Sequence, residues 1–140
     1  MVSAMRKSVE RLNVATLPKP GGHYSHATRY GDLIFTAGQL PIRPDGSHTA
    51  DTDFEDQARQ ALANVLAALG AAGAGASDLL KVTAYIVGIE NWPRFNAIYA
   101  EVMGAARPAR TVVPVPELHY GYLVEIDAIA ARGNTREPIS

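Results

Sequence analysis

The run GYLVEIDAIAA, residues 121–131, carries apolar side chains on both faces of any strand it forms. Tyr122, Val124, Ile126, Ala128 and Ala130 point one way, and Leu123, Glu125, Asp127, Ile129 and Ala131 the other. Such a strand belongs inside a structure, covered on two sides. Only two segments of the chain read as helices, and together they cover one face of a sheet. The second face needs a partner. With no second domain in 140 residues, self-association is the economical source of one.

The clearer helix lies in TDFEDQARQALANVLAALGAAG. Ala58, Ala61, Leu62, Val65, Leu66 and Leu69 recur at helical spacing. Thr52 with Glu55 predicts a capping box, Glu55 with Arg59 an i,i+4 ion pair, and Gly70 with Gly73 the stop. The second helix is ENWPRFNAIYAEVMG. Asn91 is placed to cap it, Pro93 is tolerated in its first turn and Gly104 follows its end. Phe95, Ile98, Tyr99 and Val102 form its stripe.

The remaining patterns are extended. HYSHATRY and LIFTAGQ flank Gly31-Asp32 and predict a hairpin. Pro44-Asp45-Gly46 predicts a turn. LLKVTAYIVG, ARTVVPV and the run at 121–131 complete the strands. The order is β-β-α-β-α-β-β, with an additional short strand expected near 41–50. Two helices on one face of a mixed sheet make an α+β layer fold. A single domain is expected over residues 20–132. Residues 1–19 read as a loosely held N-terminal segment and 133–140 as a tail.

Charge and composition narrow the function classes. Thirteen Lys and Arg against fourteen Asp and Glu, net −1, give no basic footprint for non-specific nucleic-acid binding. The absence of cysteine excludes disulfides, thiolate metal sites and a Cys nucleophile. The N-terminal residues lack the apolar core of a signal peptide, and no apolar run is long enough to span a bilayer. A soluble, cytoplasmic protein is expected.

Charges interrupt the C-terminal strands, and two of them, Arg110 and Glu125, are candidates for chemistry. Glu125, among apolar neighbours, must be paired, hydrogen-bonded or protonated. It is either half of a structural ion pair with Arg110 or another cation, or a general base with a raised pKa. Arg110 opens a β-branched run at a strand mouth, where a guanidinium grips a carboxylate or closes a salt bridge. His23 and His26 form an H-x-x-H without a third ligand nearby, too little for a metal site. No metal or cofactor is expected. His48 sits in a polar turn and is read as solvated. His119, beside Tyr120 and Tyr122, is a pocket residue or a loop histidine. There is no nucleophile elbow, P-loop or dinucleotide fingerprint.

From about residue 20 to 132 the chain resembles the RidA/YjgF family of enamine and imine deaminases. GGHYSHA is similar to the family's opening Gly-x-Tyr-Ser segment, LIFTAGQLPI to its strand ending in Gly-Gln, and QARQALANVLAALGAAG to its first helix. LLKVTAYIVGIENWPRFNAIYAEVM is similar to its central strand and second helix. PARTVV followed by LVEIDAIA is similar to its paired C-terminal motif. The resemblance implies a chorismate-mutase-like, YjgF-like α+β fold and a homotrimer with sites in the clefts between subunits. It implies that Arg110 binds a substrate carboxylate and that Glu125 activates water. Tyr24, Ala37, Gly38, Leu40, Asn96, Val112 and His119 would then bind substrate.

The implied reaction is hydrolysis of a 2-aminoacrylate or 2-iminopropanoate type intermediate to a 2-keto acid and ammonia. Two alternatives remain: a RidA-like enzyme specialised for another metabolite, and a non-catalytic trimer that binds a small carboxylate and regulates a partner. Six positions depart from the family pattern and lie beside its motifs. His23 replaces a Pro, His26 a Gln and Ala37 a Ser. Thr111-Val112 replaces a small residue followed often by Cys, and His119 replaces the Pro of a Leu-Pro pair.

Overall fold

A computed structural model describes residues 8–133. Its strands are β1 (Glu10–Leu12), β2 (Ala27–Tyr30), β3 (Leu33–Thr36), β4 (Leu79–Val87), β5 (Ala109–Val115) and β6 (Val124–Ala131). Its helices are α1 (Phe54–Ala71) and α2 (Trp92–Met103). One six-stranded sheet runs in the order β1-β2-β3-β6-β4-β5. Only β4 and β5 are parallel, and α2 is the crossover that a parallel pair requires. The architecture is α+β, two helices on a mixed sheet.

Alternation along the strands makes the core. Ile34 of β3, Val82, Ala84 and Ile86 of β4, and Val124, Ile126 and Ala130 of β6 are fully buried. They pack on Ala58, Leu62, Val65 and Leu69 of α1 and on Phe95 and Tyr99 of α2. Each large aliphatic side chain buried this way contributes about 1.5–3 kcal/mol. Truncating Leu62 to Ala would cost roughly 2–5 kcal/mol, because the filled interior collapses only partly.

The other face of β6 is not covered within the chain. Glu125, Asp127, Ile129 and Ala131 are half-buried. Beside Ile129 and Ala131, opposite them on β3, stand Phe35 and Leu33, which are 41% and 39% exposed. This is the surplus face that the alternation at 121–131 predicts.

Local chemistry corrects several expectations. The N-cap of α1 is Asp53, whose carboxylate accepts the Asp56 N–H at 2.9 Å. Thr52 does not cap, because its hydroxyl donates to the Thr49 carbonyl at 2.7 Å. Gly70 lies inside α1, and the left-handed residue beyond the helix is Gly73, φ 89°. Glu55 and Arg59 do not pair with each other. Glu55 meets Arg94 at 3.3 Å and Arg59 meets Glu101, so both ties run from α1 to α2.

Asn91 precedes α2 without a side-chain cap. Its amide donates to the Val87 carbonyl at 3.0 Å, and its side-chain oxygen accepts from Arg94. No strand forms over 41–50. There the Asn64 amide donates to the carbonyls of Leu40 and Ile42 at 3.0 and 2.8 Å. The polar stretch 8–19 is held, not loose. β1 pairs with β2, Arg29 bridges Glu10 at 2.9 Å, and Val14 and Leu17 pack on Ala68. Residues 1–7, and all of the expected C-terminal tail but Gly133, lie outside the described residues. No helix among the described residues is long and apolar enough to cross a membrane.

Candidate active site

A break in the β3–β6 ladder builds a cavity. Pairing runs to Phe35 opposite Ile129 and resumes where Gln39 and Ile126 exchange backbone bonds of 2.7 and 3.1 Å. Thr36, Ala37 and Gly38 therefore span the same gap as Asp127 and Ala128, one residue more on the β3 side. The ladder bulges there. The Thr36 hydroxyl accepts the Ala128 N–H at 3.0 Å, and Ala37 donates its N–H to the His26 carbonyl at 2.8 Å.

Gly38 is required at the bulge by close approach. A Cβ on it would lie 2.8 Å from Oε2 of Glu125. The carboxylate thus rests against bare backbone. Burial pushes the Glu125 carboxyl above its ordinary range; His119 pulls it down and Asp127 pushes it further up. Asp127 is itself raised by burial, against a hydrogen bond donated by Tyr85.

The cavity is about 690 Å³, and Tyr24, Ala37, Gly38, Leu40, His119 and Glu125 all line it. Arg110, Asn96 and Val112 are elsewhere. Arg110 pairs in register with Val82 and Val112 with Ala84, both buried on the helix side. Arg110 donates to the Asn96 side-chain oxygen at 3.0 Å. Its guanidinium lies 4.7 Å from the Tyr99 ring centroid and 5.9 Å from that of Phe95. Within one chain, then, Arg110 is not the ion-pair partner of Glu125.

His26 is a brace. Its Nδ1 accepts the Val14 N–H at 2.7 Å, which places the proton on Nε2, 2.7 Å from the Pro18 carbonyl. Both nitrogens are committed, so the H-x-x-H cannot chelate through His26 in this state. No group of three or more His, Cys, Asp or Glu among the described residues is placed to hold a metal ion.

His48 is a further cavity residue. It is exposed, as a polar turn predicts. Yet its ring packs 4.8 Å from Tyr120, and its Nδ1 lies 2.8 Å from the Tyr122 hydroxyl. That contact joins residues 74 positions apart, and no local pattern announces it.

Comparison with known proteins agrees with this architecture. The family model described as Endoribonuclease L-PSP matches residues 14–132. A RutC family protein of Pyrococcus horikoshii is 43% identical over 113 residues, spanning 81% of this chain and 90% of that one. TdcF of Escherichia coli, named as a candidate reactive intermediate deaminase, is 34% identical over 133 residues, spanning 91% and 98%. A crystal structure of E. coli TdcF with bound serine superposes with a TM-score of 0.82 at 32% identity, covering 89% of this chain and 99% of that one. The chain belongs to the RidA/YjgF family, and its function is of the RidA type.

Proposed function

We propose that the protein hydrolyses 2-imino acids of the 2-aminoacrylate and 2-iminopropanoate type to 2-keto acids and ammonia, without a cofactor. One observation carries this reading. A half-buried carboxylate, Glu125, rests against Gly38 in a cavity, with no cation bonded to it among the described residues. Such a group is suited to hold and deprotonate water. That a relative, TdcF, has been crystallised with serine supports a small amino-acid-like ligand.

In the proposed reaction, water attacks the C=N carbon and Glu125 accepts a proton from it. That proton passes to the imine nitrogen to give a carbinolamine. Glu125 then takes the hydroxyl proton and delivers it to the amino group, so that the C–N bond breaks, ammonia leaves and the carbonyl forms. Arg110 grips the substrate carboxylate through its planar fork. Its place on the opposite side of the sheet supports a site completed between copies, in a homotrimer. The uncovered face with Phe35, Leu33 and Ile129 supports assembly. The net charge of −1 speaks against an RNA substrate, whose phosphates call for a basic track.

The test is ammonia release from freshly generated 2-aminoacrylate. The protein is expected to accelerate it over the spontaneous rate, and Glu125→Gln is expected to abolish the acceleration. No acceleration by the native protein would overturn the assignment.

A further inference from the structure

We propose that Tyr120 and His48 form a shelf for a planar side chain at the exposed edge of the cavity, and that the preferred substrates are 2-imino acids bearing an aromatic group. The inference rests on the deaminase reading for the reaction, and on three separate features for the shelf.

The first is backbone strain. Tyr120 has φ 62°, ψ 13°, the only positive φ among the described non-glycine residues. An aromatic residue held in the left-handed region costs energy that a glycine would spare. What the conformation secures is an exposed ring, 64% accessible, on the wall of the cavity that also contains Glu125.

The second is the support behind that ring. His48 packs on it at 4.8 Å, and Tyr122 meets it edge-on at 6.3 Å. His48 is itself fixed. The buried Tyr122 hydroxyl accepts the Thr49 N–H at 3.0 Å, so its own proton needs an acceptor. Nδ1 of His48, 2.8 Å away, supplies it. The imidazole proton is then on Nε2, an exposed donor beside the Tyr120 ring.

The third is space. A cavity of about 690 Å³ is of the size that accepts drug-sized ligands, far more than a three-carbon imino acid fills. A phenyl or similar ring stacked on Tyr120 uses the excess. Aromatic pairs in offset or tilted geometry gain free energy beyond the area they bury, which distinguishes a planar group from an aliphatic one of equal size.

The experiment compares unreactive carboxylates by calorimetry: 3-phenylpropanoate, 4-methylpentanoate and propanoate. The phenyl compound is expected to bind tightest, by about fivefold over the branched aliphatic one. Tyr120→Phe should keep that preference. Tyr120→Gly, which removes the ring and relieves the backbone, should erase it without lowering the melting temperature. Imines generated in place from phenylalanine and alanine supply the second arm, with the phenylalanine-derived imine expected to be the faster. Equal binding of the phenyl and branched ligands, no detectable binding of the phenyl ligand, or a preference that survives Tyr120→Gly would overturn the shelf. A phenyl preference in binding with no turnover of either imine would instead overturn the deaminase reading and leave the shelf standing.

Discussion

Arg110 pairs with Val82 and Glu125 with Tyr85, both on β4, so the two charges lie on opposite faces of the sheet. Side chains alternate along a strand, and Val82 and Tyr85 are separated by an odd number of positions. A substrate held by both charges must therefore take them from different copies. Arg110→Ala and Glu125→Gln should each be inactive. Mixed and allowed to exchange subunits, the two inactive proteins should recover activity, since about a quarter of the sites in randomly mixed cyclic trimers combine an intact Arg110 with an intact Glu125. Mixed trimers, verified by native mass spectrometry, that remain dead would remove the inter-subunit site.

Gly38→Ala is expected to cost turnover without costing the fold. The added Cβ would meet Oε2 of Glu125 at 2.8 Å. The obstructing atom is the end of a flexible side chain, so the carboxylate moves and the backbone stays. Displacing a reacting group by a fraction of an ångström to one ångström lowers rate by roughly tenfold to a hundredfold. Steady-state kinetics beside thermal unfolding distinguishes the outcomes. Unchanged turnover would mean that the position of Glu125 is not critical.

The pH dependence follows from the charges around Glu125. Burial raises its carboxyl, His119 lowers it and Asp127 raises it. A general base works ionised, so activity should fall as pH drops, with a limb above the ordinary glutamate range. Asp127→Asn should move that limb to lower pH, and His119→Ala to higher pH. Stability carries the opposite sign. A raised folded-state pKa means that the folded chain binds a proton more tightly than the unfolded one. Stability is then lost as pH rises from the ordinary value through the raised one. Glu125→Gln should thus melt higher than the native protein at neutral pH, with the gap closing in acid. A limb indifferent to Asp127→Asn and His119→Ala would show that another group sets it.

The helices and the main strands were legible because burial follows local periodicity: Ala58, Leu62, Val65 and Leu69 are one stripe in sequence and one buried face in space. Charges were readable as residues but not as partners. Glu55 and Arg59 satisfy an intrahelical rule, yet α2 offers Arg94 and Glu101 at the same places. β1 escaped because three residues, Glu10 to Leu12, carry no alternation, and their strand is defined by β2. The site divided in the same way. Gly38 and Glu125 stand in recognisable motifs, whereas the side of the sheet that Arg110 occupies depends on a register with β4 that no local pattern contains. His48 was missed because its partners, Tyr120 and Tyr122, lie at the far end of the chain.

Tyr99 tests how Arg110 is held. Its ring lies 4.7 Å from the guanidinium, while its hydroxyl is buried with no hydrogen-bond partner among the described residues. The ring and the hydroxyl should therefore separate on mutation. Tyr99→Phe keeps the ring and deletes the unpaired group. An unsatisfied buried hydroxyl costs about 1–3 kcal/mol, so the Phe variant should be as stable as the native protein or more so, with an unchanged KM. Tyr99→Leu removes the ring. A cation–π contact is worth about 0.5–2 kcal/mol, and without it Asn96, at 3.0 Å, and the more distant Phe95 ring, at 5.9 Å, are left to steady the guanidinium. KM should rise severalfold while kcat changes less if Arg110 grips the substrate carboxylate and Glu125 holds the water, as proposed, because only the grip is loosened. Asn96→Ala in the Tyr99→Leu background should raise KM further. A Phe variant markedly less stable than the native protein would show that the hydroxyl is bonded in the assembled molecule. A Leu variant with native KM would show that Arg110 does not need the Tyr99 ring.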